Sequence, residues 1–282
     1  KNQICNVLFM NKKKKKKLKM KGKKSKSTYT GKSIKTGIRG VDKLLGKGVP
    51  EGSSILVEGG PGSGKTIFCL QVARNACKKG KKVLYMSFEE PPDRLKSHME
   101  SFGWKPDKFE DKGLLQIRRF NALDIARSVE ALLGEAKKEL LIEIQPVLIP
   151  EDFKPDIVLI DSLSSISSAF SGESARFRIY MEQLFRYLES HEITSFLIRE
   201  TAKPTHLGGG YTEKGEAISF LSDGIIVLYS VIFNSGERGR GLEVLKMRGQ
   251  DIDRKIVGAE IKNRQGIVVY PDRQIQANHK MT

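Results

Sequence analysis

Short apolar runs alternate with stretches of helical periodicity along the chain up to about residue 200. The helical stretches repeat apolar residues at four-residue steps, as Phe68, Val72 and Ala76 do, whereas the apolar runs are short and bounded by turn residues. Strands that alternate with helices predict a mostly parallel sheet with helices on both faces. The predicted strands are Ile55–Glu58, Val83–Phe88, Leu114–Arg118, Asp156–Asp161 and Thr194–Ile198, and the predicted helices are Lys65–Lys79, Pro91–Phe102, Leu123–Leu141 and Ser174–Glu189.

A different pattern begins after Asp223, where apolar runs follow one another across short turns with no helical stretch between them. Such runs predict an antiparallel extension of the same sheet. The expected fold class is therefore α/β, with one domain and a β-rich C-terminal part. The longest apolar run, Ile225–Phe233, is too short to span a bilayer, so no membrane association is expected. The predicted strands of this part are Gly224–Phe233, Leu242–Met247, Lys255–Lys262 and Gly266–Tyr270.

The positive charge of the chain is concentrated near its N-terminus. The chain carries 50 Lys and Arg against 33 Asp and Glu, a net charge of +17, but residues 1–35 alone hold 14 lysines and no acidic residue. The unbroken run Lys12–Lys17 repels itself, so residues 1–34 are predicted to be a disordered lysine-rich tail. This tail is either a solvated extension or an arm that attracts nucleic acid. The predicted domain covers residues 35–272, and residues 273–282 are predicted to be a C-terminal tail.

The three cysteines, Cys5, Cys69 and Cys77, form no CxxC pair. Cys69 and Cys77 lie eight residues apart on one predicted helix, which separates them by about 12 Å, too far for a disulfide. Reduced thiols are therefore expected, and they favour a cytoplasmic location. The four histidines show no metal-ligand spacing, so no zinc site is expected.

The segment from Gly59 to Thr66 reads GGPGSGKT and matches the P-loop pattern GxxxxGK[ST]. It follows a predicted strand and opens a predicted helix, which is the context that this motif requires. Glycines leave room for backbone N–H groups around a phosphate, Lys65 supplies a cation, and the Thr66 hydroxyl is a Mg²⁺ ligand. The predicted ligands are therefore ATP and Mg²⁺. The predicted nucleotide-binding residues are Gly59, Gly60, Pro61, Gly62, Ser63, Gly64, Lys65 and Thr66.

Three carboxylates stand where predicted strands end. Asp161 ends the most apolar strand, and we expect it to hold Mg²⁺ together with Thr66. Glu89 and Glu90 follow the second strand, at the edge where a parallel α/β sheet binds its ligand. A carboxylate there can orient or deprotonate an attacking water, which makes both candidate catalytic residues. The alternatives are an ordinary strand-end Asp, and a solvated Glu pair that opens a helix where negative charge suits the dipole.

Taken in order along the chain, these motifs resemble those of the KaiC-like ATPases of the RecA superfamily. The likeness extends from about Thr36 to Pro271, nearly the whole globular part. A P-loop alone is shared by many families, so the ordered set is the specific feature. The matching segments are the P-loop, Ser87–Glu90, Ile160–Leu163 and Lys246–Gly249.

This resemblance implies a RecA-like P-loop fold and slow, Mg²⁺-dependent ATP hydrolysis that drives a conformational change read by a protein partner. Glu89 and Glu90 are similar to the paired catalytic glutamates of the family. Lys246 and Arg248 are similar to a lysine–arginine finger that KaiC-like subunits extend into a neighbour's nucleotide site. A homo-oligomer, such as a hexameric ring, is therefore implied. The two cations are two residues apart on a predicted strand and so face one way, with Met247 facing the other.

Two other functions use the same core. A recombination protein would contact DNA through a loop such as Lys203–Lys214, with the lysine tail adding phosphate contacts, although the globular part is nearly neutral and lacks a basic stripe. A Ser/Thr autokinase is implied by the clock protein of the family, which phosphorylates an adjacent Ser–Thr pair. Ser219 and Phe220 occupy the matching place here, so one hydroxyl is present where the pair would have two.

Overall fold

A computed structural model describes residues 31–136, 149–150, 152–170, 172–201, 218–233, 235–275 and 280–281. A short helical segment at residues 218–221 lies between the strands called β7 and β8 below. The elements in chain order are β1 (Ser33–Ile34), α1 (Arg39–Leu44), β2 (Val49–Pro50), β3 (Ser54–Gly59), α2 (Lys65–Lys78), β4 (Val83–Ser87), α3 (Pro92–Ser101), α4 (Asp107–Glu110), β5 (Leu115–Arg119), α5 (Ala122–Ala136), β6 (Ile157–Asp161), α6 (Leu163–Ala169), α7 (Ser174–Ser190), β7 (Thr194–Glu200), β8 (Gly224–Ile232), β9 (Arg238–Met247), β10 (Val257–Lys262), β11 (Gly266–Gln274) and β12 (Lys280–Met281).

A ten-stranded sheet forms the centre of the described part of the chain. Its strands follow the order β11-β10-β9-β8-β3-β7-β6-β4-β5, and β12 pairs with β8. The neighbours from β8 to β5 on this path are parallel, whereas those from β8 to β11 are antiparallel. The structure therefore confirms a mostly parallel α/β sheet with an antiparallel C-terminal extension.

Each face of the sheet has its own hydrophobic core. In β3, Ile55 and Val57 belong to one core and Leu56 to the other, because successive side chains of a strand point to opposite faces. Phe68 of α2 packs into the first core, and Leu184 of α7 packs into the second. Burial on both faces explains why the central strands read as continuous apolar runs.

The register of the parallel strands gathers their carboxyl ends at one edge. Gly59 at the end of β3 lies beside Glu200 at the end of β7, and Ser87 at the end of β4 lies beside Asp161 at the end of β6. Helix α2 begins at the same edge, and its first two residues are the last two of the P-loop segment. Motifs that are far apart in the sequence therefore meet there.

The largest differences from the predicted elements occur in the C-terminal strands. β9 begins at Arg238, before the predicted start at Leu242, because its pairing with β8 continues to that residue. β11 runs through Pro271 to Gln274, and as the edge strand it tolerates a residue without an N–H donor. Strand structure thus enters the predicted tail 273–282, where β12 also lies.

Three predictions fall wholly or partly outside the described residues. They are the lysine-rich tail up to residue 30, the predicted helix Leu123–Leu141 beyond Ala136, and the loop Lys203–Lys214. In the part of the chain that the structure describes, no helix has the length and apolar character needed to cross a membrane.

The two cysteines of α2 are free thiols, as predicted. Cys69 and Cys77 are both buried and unpaired with one another, and Cys5 lies outside the described residues. Burial raises the pKa of the Cys77 thiol to about 12, so this side chain is protonated at neutral pH. Both residues are part of the core beneath the sheet.

Candidate nucleotide-binding site

The P-loop segment crosses from the end of β3 to the start of α2 and is most closely packed at its first glycine. A Cβ atom added to Gly59 would lie 2.3 Å from the carbonyl oxygen of Leu228, so the backbone can pass there only as glycine. Gly64 precedes α2 with a φ of 104°, in the left-handed region that glycine adopts without strain. The loop therefore brings the N-terminus of α2, with its unpaired N–H donors, to the ligand edge of the sheet.

Lys65, the first residue of α2, is buried against the loop. Its Nζ donates to the carbonyl oxygen of Gly60 at 2.9 Å and to Oε1 of Glu200 at 3.3 Å. Glu200 is half exposed and ends β7 beside Gly59. Glu200 was not predicted as a site residue, although a carboxylate two residues after the apolar run that ends at Ile198 was the available signal.

Asp161 and Thr66 meet at the same edge. Thr66 Oγ1 donates to Asp161 Oδ2 at 3.0 Å, and the hydroxyl of Tyr85 donates to the same oxygen at 2.7 Å. Burial raises the pKa of the Asp161 carboxyl and the charges of Glu89 and Glu90 raise it further, whereas the two hydrogen bonds oppose this change. An anion in this place is thus costly on its own and favours a bound cation.

The donors at this edge fit Mg²⁺. A hydroxyl and a carboxylate oxygen side by side are hard ligands, and Mg²⁺ commonly binds to one or two carboxylates together with phosphate oxygens of the substrate. Among the described residues, no cluster of three or more His, Cys, Asp or Glu side chains could hold a metal ion by itself. Thr66 and Asp161 would therefore share a bound Mg²⁺ with the phosphates.

The two adjacent glutamates have different surroundings. Oε1 of Glu89 accepts hydrogen bonds from the hydroxyls of Ser162 at 2.5 Å and Ser165 at 2.7 Å. Oε2 of Glu90 instead lies 3.4 Å from Arg94 Nε and 3.8 Å from His98 Nε2. Glu89 is thus oriented by neutral hydroxyls at the start of α6, whereas Glu90 faces cationic or titratable side chains of α3.

These groups surround one cavity of about 470 Å³, which we call the P-loop cavity. Four carboxylates line it, and the lining side chains with a permanent positive charge are Lys65 and Arg240. Apolar side chains, including Ile67, Phe102 and Ile261, form another part of its wall. The carboxylates are those of Glu89, Glu90, Asp161 and Glu200.

Arg240 is a lining residue that the sequence analysis missed. It lies in the first half of β9, a segment whose glycines made it resemble a turn. Its Nε atom is buried and has no hydrogen-bond partner, so the guanidinium retains a donor inside the site region.

Lys246 and Arg248 both bind the segment just before β8. Lys246 Nζ donates to the carbonyl oxygens of Ser219 at 2.8 Å and Ser222 at 2.6 Å. Arg248 donates to the carbonyl oxygen of Phe220 at 2.5 Å and lies 3.4 Å from Oδ1 of Asp223. Both cations therefore contact residues 219–223, and we call them the Lys246–Arg248 finger.

The finger lies away from the P-loop cavity of its own chain. Met247 pairs with Gly224 at the start of β8, and Gly224 pairs with Ile55 near the start of β3. The P-loop follows Gly59 at the other end of β3, about 13 Å farther along the strand. Neither finger residue lines the cavity.

Comparisons with known proteins agree with this architecture. A family model described as "ATPase: KaiC" matches residues 34–274. A UPF0273 protein of Thermotoga maritima is 34% identical over 248 residues, which are 85% of this chain and 96% of the relative. The circadian clock protein KaiC3 of Synechocystis is 28% identical over 250 residues, which are 88% of this chain but 48% of the relative.

A solved structure supports the same assignment. The KaiC-like protein PH0186 of Pyrococcus horikoshii superposes with a TM-score of 0.66 at 28% identity, covering 85% of this chain and 99% of that protein. The resemblance stated from the motifs is thereby confirmed, together with the RecA-like fold class. The chain belongs to the KaiC family of ATPases.

Proposed function

We propose that this protein is an oligomeric, Mg²⁺-dependent ATPase that binds ATP between two subunits. The observation that carries the proposal is the convergence of Lys65, the Thr66–Asp161 pair and Glu89 on one cavity. These groups come from separate elements at the sheet edge. Lys65 would supply a cation that binds phosphate, the Thr66–Asp161 pair a metal site, and Glu89 a carboxylate that orients the attacking water. Membership of the KaiC family supports ATP as the nucleotide.

The P-loop and Lys65 would bind the phosphates. Backbone N–H groups of the loop and of the α2 N-terminus point at an anion placed there. Lys65 is already held at this edge by Gly60 and Glu200, so a β- or γ-phosphate oxygen needs only to take a place beside the same ammonium. The apolar side chains of the cavity wall suit the nucleoside.

The charge of the P-loop cavity supports both a metal and a second subunit. Four carboxylates against Lys65 and Arg240 make a poor site for a polyphosphate anion. Mg²⁺ held by Thr66 and Asp161 would neutralise phosphate charge as it develops. The Lys246–Arg248 finger of a neighbour would supply the remaining cations, and the guanidinium of Arg248 can bind phosphate oxygens in a bidentate manner.

Glu89 is the proposed base for the attacking water. Its carboxylate is exposed at the cavity wall and oriented by two serine hydroxyls, which leaves Oε2 for a water molecule. Glu90 is the second catalytic candidate. Its contacts with Arg94 and His98 suit a residue that contributes negative charge near Glu89 and does not itself bind the water. Hydrolysis would release the finger of the neighbour from the γ-phosphate and so change the arrangement of the subunits.

The first test is ATP binding and hydrolysis by the parent chain and by Lys65→Ala. We expect Mg²⁺-dependent turnover in the parent and a loss of about 10²–10³-fold or more in the variant, because it lacks the P-loop cation. Lys78→Ala removes a lysine from the other end of the same helix and should leave turnover unchanged. Native mass measurement with and without ATP and Mg²⁺ reports the oligomer. Undiminished turnover in Lys65→Ala would refute the ATPase proposal.

The other two functions remain predictions with their own tests. The hydroxyl of Ser219 lies 3.0 Å from Arg199 Nη2, so an autokinase would have to release it from that hydrogen bond. Nucleic acid binding through residues 1–32 would fall steeply with salt, at a log–log slope of about −0.9 per neutralised phosphate of duplex DNA. Tight ATP-dependent DNA binding after deletion of these residues would instead favour the recombination protein.

A further inference from the structure

A buried ion pair lies directly behind the P-loop. Arg199 in β7 and Glu58 in β3 are neighbours in the parallel register, one residue before Glu200 and Gly59 respectively. Arg199 Nη2 lies 2.5 Å from Glu58 Oε1, and the two side chains are 8% and 2% exposed. The pair is thus fixed to the strand end that carries the P-loop.

The same guanidinium also contacts the segment that holds the finger. Arg199 Nη2 lies 3.0 Å from Oγ of Ser219, in the short helical segment before β8. The carbonyl oxygen of Ser219 accepts a hydrogen bond from Lys246, and the next carbonyl, of Phe220, accepts one from Arg248. One side chain therefore connects the P-loop strand to the backbone on which both finger cations rest.

Arginine is suited to this place for a geometric reason. Both contacts are made by Nη2, whose two N–H bonds lie in the guanidinium plane at a fixed angle, so binding of the Glu58 carboxylate also fixes the direction of the bond to Ser219. Buried ion pairs contribute little net stability compared with apolar residues of the same volume, and their best-attested role is to specify one arrangement. A buried pair that contacts a functional segment is therefore suited to hold that segment in one position.

We infer that Arg199, held by Glu58, is a positioning residue that sets the Lys246–Arg248 finger relative to the P-loop of its own subunit. The inference rests on the proposed function, in which the finger acts in the neighbouring site. A shift in the segment around Ser219 would then impair hydrolysis in the neighbour and leave nucleotide binding by its own P-loop intact. If the pair only stabilises the P-loop of its own subunit, the shift would instead impair nucleotide binding there and leave hydrolysis in the neighbour intact.

Subunit mixing separates the two arrangements. A Lys65→Ala subunit can donate only a finger, and an Arg248→Ala subunit can donate only a P-loop, so a mixed oligomer has active sites of one known composition. Ser219→Ala is added first to the finger donor and then to the P-loop donor. This variant removes the hydroxyl that Arg199 binds and leaves the buried Arg199–Glu58 pair intact, which avoids an unpaired buried charge.

We expect Ser219→Ala to reduce hydrolysis only when the finger donor carries it, by up to about 100-fold, the cost of a displacement of roughly 1 Å at a reacting group. Ser219→Thr keeps a hydroxyl and should restore most of the rate. The matched control is Thr194→Val, which removes a buried hydroxyl from the other end of β7, where it accepts a hydrogen bond from Gly52. This control should leave the rate unchanged in either donor.

Several results would overturn the inference. An equal loss in both donors, or a loss only in the P-loop donor, would mean that the pair serves its own loop. No loss in the finger donor would mean that Ser219 positions nothing. A phosphate found on Ser219 by intact mass after turnover would show that the hydroxyl is an acceptor. If the original pair of variants forms mixed oligomers without regaining activity, the proposed function itself fails before Ser219 is changed.

A second measurement uses the unmixed protein. Arg199→Lys keeps the charge beside Glu58 but loses the rigid plane in which one Nη2 N–H bond is directed at Ser219. It should lower kcat while nucleotide affinity, measured by titration calorimetry, stays at the parent value. Parent kcat in a folded Arg199→Lys variant, or equal losses in affinity and kcat, would contradict a role in positioning the finger.

Discussion

The P-loop cavity and the Lys246–Arg248 finger differ in the sign of their charged side chains. In the cavity, carboxylates outnumber the lysine and the arginine, and Asp161 is buried among them. In the finger, Lys246 near the end of β9 and Arg248 just after that strand are held by backbone carbonyls and by Asp223. Surfaces of opposite charge attract across an interface, whereas each repels its own kind. On the proposed function, the cavity and the finger are two halves of a site that only two subunits together complete.

The two regions also differ in what completes them. The cavity brings together side chains from several strand ends through the register of the sheet. The finger lies at the end of β9 in the antiparallel extension, about 13 Å from the P-loop along β3. A ring or another closed oligomer would place the finger of one subunit on the cavity of the next.

The largest expected effect comes from breaking the finger. Arg248→Ala should lower turnover by about 10³–10⁵-fold, the value of an arginine that acts in trans in other phosphoryl-transfer sites. ATP binding to the P-loop should persist, because Arg248 does not line the cavity of its own chain. Phosphate release and calorimetric titration measure the two properties separately.

Mixing sharpens this result. Arg248→Ala and Lys65→Ala subunits combined in one oligomer should regain part of the activity that each lacks, since some sites pair an intact P-loop with an intact finger. Arg254→Ala, on the exposed loop after the finger, serves as the control with full activity. Mixed oligomers, verified by native mass, that stay inactive would place Arg248 in its own subunit or outside catalysis.

The contrast between these regions follows what the sequence could predict. The P-loop, Asp161 and the two glutamates were predicted because each is a local motif next to a predicted strand. Glu200 was missed, since its part in the site depends on the pairing of β7 with β3, strands that are far apart in the sequence. Local pattern predicts strands well, and register decides which strand ends meet.

The buried pair of Glu58 and Arg199 shows the same limit more sharply. Two charges inside apolar runs, 141 residues apart, give no sign in the sequence that they will face each other. The structure explains the charge of Arg199 at the end of an apolar run by the register that places it beside Glu58. The early start of β9 was missed for a related reason, because its glycines suggested a turn.

The next prediction concerns the carboxylates of the P-loop cavity. Glu89→Gln together with Glu90→Gln should retain ATP binding and lose about 10²–10⁴-fold in hydrolysis, the contribution of a positioned base. Glu89→Gln alone should account for most of the loss, because Glu89 is the carboxylate that Ser162 and Ser165 orient. Single-turnover phosphate release checks this, with Glu100→Gln on the exposed side of α3 as control. Hydrolysis by the double variant at the parent rate would leave the pair as a solvated helix opening.

A smaller effect is expected at the metal site. Asp161→Asn should raise the Mg²⁺ concentration needed for half-maximal turnover by at least about 10–100-fold, because loss of a residue that only supports a metal ligand already costs that much. The amide can still accept hydrogen bonds from Thr66 and Tyr85, so the fold should persist. Asp156→Asn changes an aspartate at the other edge of the sheet and should leave the Mg²⁺ dependence as it is. An unchanged Mg²⁺ requirement in Asp161→Asn would remove Asp161 from the metal site.

The smallest effect distinguishes the two cations of the finger by pH. Burial lowers the pKa of Lys246 below the ordinary 10.5 and the charge of Arg248 lowers it further, while Asp223 opposes this change. On the proposed function, turnover should therefore fall in the alkaline range as Lys246 loses its proton. Lys246→Arg keeps the charge, so the alkaline fall should move to higher pH with little change at neutral pH.

The stability of the protein should rise with pH in the range where its activity falls, which ties both changes to the titration of Lys246. The folded state favours the neutral amine of Lys246. At pH values below the pKa of the folded state, the charged Lys246 therefore lowers the free energy of unfolding. This destabilisation decreases as the pH rises from that pKa towards 10.5. The parent should thus gain thermal stability with pH relative to Lys246→Arg while it loses activity relative to that variant. Activity and melting profiles of the two proteins, recorded in the same buffers from neutral to alkaline pH, show both changes. Parallel profiles for parent and variant would mean that Lys246 keeps its charge over this range, and the predicted alkaline loss of activity would then be wrong.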